Sequence, residues 1–344
     1  MSSEHPLDIT FRLLAADGGP SARHCLRKAL EEDSPPMQQR AFATAMTLRT
    51  RAAHEAVVSA YHLLPRQIQL EAIGRSEELL GVLRSLLNHS SVQMRRNAVE
   101  ILAEACRTKL TYLYVHALND DDDIVAATAR DALVMVTADY HLAASAARRG
   151  VIQIGRDELA SRKYSILDPL STALKTPGQK NLDVLVEVAV GLDASLDAML
   201  MRLLAEPNDR RTRALLELLW SGTSTRVVGF VVDLLKKTRL ARVGLRIIAR
   251  RIDARFVRML LESPELTEPE VTAALEHLRP PHWLDPRHGV LTTLTARQAL
   301  AAMRLVVLGD IEPEEKTRFI QALADGRDKG VTSMASQARR MLAG

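Results

Sequence analysis

The sequence holds only two cysteines, Cys25 and Cys106, far apart and outside any CxxC spacing. Two thiols so placed exclude a disulfide framework and a cysteine-based zinc knuckle, and they fit a reducing compartment. Aromatic residues make up 3% of the 344 residues, against a rich supply of Leu, Ala and Val. Sheets prefer β-branched and aromatic side chains, whereas small residues let helices approach closely, so this scarcity points to an all-α core. No apolar run approaches the ~20 residues that a membrane-spanning helix needs. The opening residues, Met1 to Pro6, lack the basic segment and apolar core of a secretory leader. These absences give the expectation of a cytoplasmic protein that engages no membrane. Signatures of catalysis are missing too. There is no GxGxxG or GxSxG, no phosphate loop ending in Lys-Ser or Lys-Thr, and no HExxH. The chain is therefore expected to be neither an enzyme nor a carrier of a cofactor or metal.

What is present is the composition of a folded protein: 47% hydrophobic, 26% charged, with a net charge of +4. Turn signals recur at short intervals, among them Gly18-Gly19-Pro20, Ser34-Pro35-Pro36, Asn119 to Asp123, Pro177-Gly178, Glu206 to Asp209, Pro280-Pro281 and Asp325-Gly326. Apolar segments of about one helix length lie between them, and none alternates as a strand would. The C-terminal half divides into ten such segments, at 182–192, 195–204, 211–220, 226–235, 240–250, 254–261, 269–278, 295–308, 313–324 and 331–342.

One pattern repeats. Met94, Ala98, Ile101 and Leu102 are spaced as are Val125, Ala129, Ala132 and Leu133, and each set follows a short polar loop. The same small residue stands at Ala41 after Met37 and at Ala335 after Val331. Positions one, five and eight share a helix face, and a small Ala in the middle lets a second helix sit close. Leu118, Asp122, Val125, Ala129 and Leu133, with Leu87, Asn88, Met94, Ala98 and Leu102, resemble the HEAT repeat family, in particular its short bacterial forms. The family's Arg after the first apolar residue is present as Arg95 and replaced by Ala126 in the next copy. The resemblance implies a right-handed α-solenoid of antiparallel helix pairs with a scaffold function. The stretch around 145–165 is less regular, which sets an expected boundary between residues 1–150 and a more divergent 151–344.

Between residues 210 and 258 there are thirteen Lys or Arg residues and three acids. Arg239, Arg242, Arg246 and Arg250 are spaced three, four and four, which lines one helix face. Arg251, Arg255 and Arg258 follow across the turn at Asp253. Together they are the candidate surface for an anionic partner, either an acidic protein or the phosphates of a nucleic acid. Few aromatics lie near them for base stacking, which favours protein. Glu262, Glu265, Glu268, Glu270 and Glu276 follow directly as candidate internal counter-charges. Trp283, in a Pro-rich loop with His282 and His288, is a candidate partner anchor, or else a side chain folded back onto the helices. The run Asp120 to Asp123 lacks the spacing of a calcium loop and reads as an acidic cap on the helix that follows. The expected function is a scaffold that binds a protein partner along its surface, with nucleic-acid binding through the Arg rows as the alternative.

Overall fold

The computed structural model describes residues 6–17, 19–206, 208–325, 327 and 329–343. The expectations resting on the first five residues, and on Gly18, Pro207 and Gly326, lie outside them. Helix follows helix along the chain, and no strand occurs among the described residues, so the fold is all-α. The chain divides into two units, Met1–Val184 and Leu185–Gly344. The first contains α1 (Pro6–Asp17), α2 (Pro20–Glu31), α3 (Pro35–Leu48), α4 (Arg51–Ala60), α5 (Arg66–Gly74), α6 (Ser76–Leu86), α7 (Val92–Ala105), α8 (Thr111–Ala117), α9 (Asp123–Arg148) and α10 (Arg156–Lys175). The division falls inside α11 (Leu182–Ala189). The second unit continues with α12 (Ala194–Leu203), α13 (Arg210–Ser221), α14 (Thr225–Leu235), α15 (Ala241–Arg250), α16 (Ala254–Glu262), α17 (Pro269–Leu275), α18 (Ala296–Leu308), α19 (Pro313–Ala324) and α20 (Lys329–Ala343). The ten segments expected in the C-terminal half are α11 to α20, each within a few residues.

Residue 150 lies inside the first unit. Gly150, at φ +70°, turns the chain in the loop between α9 and α10. Those two helices pack on each other and both pack on α8, all within the first unit. No single described helix is long and apolar enough to cross a membrane; α13 and α14 pass that test only as a pair, bent by 110°.

The principal packing partners of each helix lie within three places of it in chain order. α7 meets α4, α5, α6 and α9; α14 meets α15, α16 and α17; α18 meets α16, α17, α19 and α20. Within each unit this is the nearest-neighbour packing of a solenoid, where every helix face is buried by sequence-adjacent helices. The repeated small residue is an interior residue in all four copies. Ala41, Ala98, Ala129 and Ala335 are fully buried, and α7 packs directly on α9. Beside them Ile101, Leu102, Val125, Leu133 and Val136 fill the same layer.

Short helices leave many end groups to satisfy. At the N-ends, Thr50, Asp122, Asp193, Asp209, Ser224, Asp253 and Thr295 each accept a backbone N–H. At the C-ends the carbonyls are met by side chains from later helices. Gln38 Nε2 donates to Leu30 O at 3.1 Å, and Asn97 Nδ2 to Val58 O at 2.8 Å and Ser59 O at 2.9 Å. Tyr114 Oη donates to Leu102 O at 2.7 Å, and Thr212 Oγ1 to Leu203 O at 2.6 Å. Each bond ties one helix to the end of an earlier one.

The acidic run caps α9 as expected, with Asp122 accepting from Val125 N at 3.1 Å. It is also an anchor for α7. Arg95 grips Asp120 through two bonds of 2.8 and 3.0 Å, and Arg96 grips Asp122 through bonds of 2.9 and 2.7 Å. Lys180 reaches Asp121 at 2.6 Å. The Arg96 fork, with help from the backbone at Val125 and against the cost of desolvation, holds the Asp122 carboxyl at about 2.

Two outcomes follow from this packing. Ala98→Asp or Ala129→Asp places an unpaired carboxylate between helices and is expected to remove roughly 3–5 kcal/mol of stability, read from urea unfolding; unchanged midpoints for both would refute the buried register. Because Asp122 titrates lower in the folded chain than the 3.8 of a free Asp, its contribution is complete above that value. It is lost as the pH falls from 3.8 towards about 2. Asp122→Asn should flatten that limb of the stability curve.

Candidate functional site

α15 repeats apolar and basic residues with the helical period, and the two kinds separate onto opposite faces. Gly244, Leu245, Ile247 and Ile248 are buried, while Arg242, Arg246 and Arg250 are exposed, with Arg239 exposed one turn earlier. The buried face seats on α14. A Cβ at Gly244 would stand 2.9 Å from Leu235 Cδ2 and 3.1 Å from Val231 O, so the glycine sets how closely the two helices meet. α16 is sorted in the same way. Phe256, Val257, Leu260 and Leu261 point inward, and Arg255, Arg258 and Glu262 outward. Asp253 begins α16 by accepting from Phe256 N at 2.7 Å.

None of Arg239, Arg242, Arg246, Arg250 and Arg255 has an ion-pair partner among the described residues, and Arg258 donates to Ala254 O of its own helix at 3.2 Å. Three of the five acids that follow in sequence have partners of their own, while Glu270 and Glu276 are exposed. Glu268 joins Asp233 on Lys236, each at 3.0 Å. Glu262 accepts from Gln298 Nε2 at 2.6 Å, and Glu265 accepts from Ser263 Oγ. Other arginines of the chain are paired, as in Arg66 with Glu104 and Arg75 with Glu78. Like charges four residues apart on a helix cost a few tenths of a kcal/mol per pair. Arg250 recovers part of that, since it lies in the last turn of α15 at the negative end of the helix dipole.

Two of the expected site residues do not belong to this face. Arg251 is 5% exposed. Its Nη1 donates to Leu219 O at 3.1 Å and Gly222 O at 2.7 Å, which closes the C-end of α13. Its guanidinium carbon sits 3.9 Å from the centre of the Phe256 ring. Desolvation pulls its pKa below the usual arginine value, with Asp253 pulling the other way. Read by spacing, Arg251 falls with Arg255 and Arg258 across the turn at Asp253, but it stands before that turn, at the end of α15. Arg251 takes extended backbone, at φ −71° and ψ 136°, and this turns its side chain inward. The Asp253 cap two residues later is the sequence signal that the face ends at Arg250.

Trp283 is wholly buried and so presents nothing to a partner. It lies in the turn His282–Leu284, which packs against α15. A large apolar side chain gains most by filling a core slot, and this one supports the helix that carries the Arg row. His282 and His288 are exposed, and Arg287 folds back onto Asp285 in a local ion pair. No group of three or more His, Cys, Asp or Glu among the described residues is placed to hold a metal ion.

Denaturation should separate these roles. Trp283→Ala is expected to cost roughly 3–5 kcal/mol. Arg251→Lys is expected to cost about 1–3 kcal/mol, because an ammonium on a flexible stem cannot span two carbonyls as the guanidinium does. Arg242→Glu, on the exposed face, should change stability by no more than about 0.5 kcal/mol. Equal effects at Arg242 and Arg251 would contradict the sorting.

No protein-family model matches the chain, and no curated protein is similar to it in sequence. Among solved structures it is similar to a chain from the work described as "Kap95p Binding Induces the Switch Loops of RanGDP to adopt the GTP-bound Conformation". The identity is 10% and the TM-score 0.37, over 96% of this chain and 46% of that one. This chain thus spans less than half the length of that neighbour.

Proposed function

We propose that the chain is a non-catalytic helical scaffold whose second unit docks an acidic segment of a partner protein. The docking face is Arg239, Arg242, Arg246, Arg250, Arg255 and Arg258. The observation that carries this reading is a row of exposed guanidinium groups without an ion-pair partner among the described residues. A row of that kind is repulsive in the isolated protein and is relieved by an anionic partner. Guanidinium forks match carboxylates well. Phosphates fit them too, but Phe256 lies buried beneath Arg251 and Trp283 is buried, so neither offers a ring on which bases stack. That favours protein over single-stranded nucleic acid. Both cysteines are free thiols, which supports the cytoplasm as the site of action.

Fluorescence anisotropy with a labelled polyglutamate peptide and with random-sequence DNA tests the reading. The wild-type chain should bind the peptide with an affinity that falls as salt rises. Arg242→Glu with Arg246→Glu should weaken it at least tenfold at an unchanged thermal midpoint. Tighter binding to the DNA at the same ionic strength, or undiminished peptide binding by the double variant, would contradict it.

A further inference from the structure

A second surface lies in the first unit, on the hairpin of α9 and α10. Elsewhere the chain buries a residue every few positions, yet from 138 to 165 none is buried. The last buried residue of α9 is Thr137, and the helix runs on to Arg148. At 1.5 Å per residue that is roughly 16 Å of helix beyond the core of the unit. The stem is built of small residues, with Ala143, Ala144, Ser145, Ala146 and Ala147 all half-buried, and α9 packs on α10.

The tip reads Arg148-Arg149-Gly150-Val151-Ile152-Gln153-Ile154-Gly155-Arg156. α9 ends in a left-handed Gly150, with Gly150 N donating to Ala147 O at 3.0 Å and Val151 N to Ala146 O at 2.9 Å. In this type of helix stop the residue after the glycine ordinarily packs back on the last turn. Val151 does not, and is 70% exposed. Ile152 is exposed beside it, and Leu142 and Tyr164 on the stem are 67% and 65% exposed. Arg148, Arg149 and Arg156 flank the apolar tip and are all exposed. Of the two acids next to it, Glu158 is paired with Arg162 at 2.6 Å and Asp157 is exposed, so Arg148, Arg149 and Arg156 still outnumber them.

We infer that this tip binds the surface of an anionic lipid bilayer, with Val151 and Ile152 entering the interface and Arg148, Arg149 and Arg156 meeting headgroup phosphates. Two features favour that occupant. The apolar residues stand on a convex, projecting turn, which a deformable interface accommodates without a matching pocket. The collar is basic, complementary to acidic headgroups, and its guanidinium groups fork onto phosphate oxygens. The lack of a spanning helix bears on crossing a bilayer, not on binding its face.

The test is cosedimentation of the full chain with vesicles of equal parts phosphatidylcholine and phosphatidylserine, and with phosphatidylcholine alone. The wild type should bind the anionic vesicles at least tenfold more strongly than the neutral ones. Val151→Asp with Ile152→Asp should lose at least tenfold of that binding, at an unchanged thermal midpoint because neither residue is buried. The same double Asp variant, Val151→Asp with Ile152→Asp, should bind the polyglutamate peptide as the wild type does, which keeps this outcome separate from the peptide-docking face. Failure of the wild type to sediment with anionic vesicles at low salt would overturn the assignment, even if the tip captured a protein. So would full binding by the Asp variant.

Discussion

A helix of two or three turns has the same loose ends as a long one, about four carbonyls without an intrahelical partner at its C-end. A chain built almost wholly from such helices buries many of those ends, and each buried carbonyl left alone costs about 1–3 kcal/mol. Here the debt is met by side chains that reach across. Gln38 closes α2, Asn97 closes α4, Tyr114 closes α7, Thr212 closes α12 and Arg251 closes α13. In each case the donor lies later in the sequence than the helix it closes. The same bond therefore satisfies an end and fixes the neighbour's position. Arg327 does this for two segments at once, donating to Leu291 O and Leu294 O and also to Leu323 O at the end of α19.

Small residues set the spacing on which these bonds depend. Ala98 and Ala129 let α7 and α9 nest, and Gly244 lets α15 sit directly on the backbone of α14. With α15 held from below by α14, and from the side by the turn that buries Trp283, its outer face is fixed as well. The exposed arginine row follows from how the inner face is packed. The arginines of that face have no ion-pair partner among the described residues, and Glu268 is paired with Lys236. In the first unit the opposite arrangement holds. Arg95 and Arg96 are paired with Asp120 and Asp122, and that loop ties α7 to the start of α9.

The helical class and the buried alanines were legible because a period of 3.6 residues is written into every segment. So was the outward face of Arg239, Arg242, Arg246 and Arg250, which depends on that period alone. Three things were not legible. Arg251 follows Arg250 directly, but a change of backbone at one residue reverses its direction, and periodicity carries no information past a helix end. Trp283 lies in a loop, where no period exists to say which way a side chain points. The projecting hairpin is the third, because the stretch around 145–165 breaks the helical period in the sequence. From 138 to 165 the two helices bury nothing fully, so that part of the hairpin leaves a weak hydrophobic pattern.

The arginines between 239 and 258 divide into an outward row without an ion-pair partner and one inward residue, Arg251, that closes a helix. Timed modification with phenylglyoxal, read residue by residue by mass spectrometry, tests that division most directly. The account predicts rapid modification at Arg239, Arg242, Arg246, Arg250 and Arg255, and protection of Arg251 until the chain unfolds. Arg251 reacting as fast as Arg250, or Arg242 and Arg246 protected in the native protein, would contradict it.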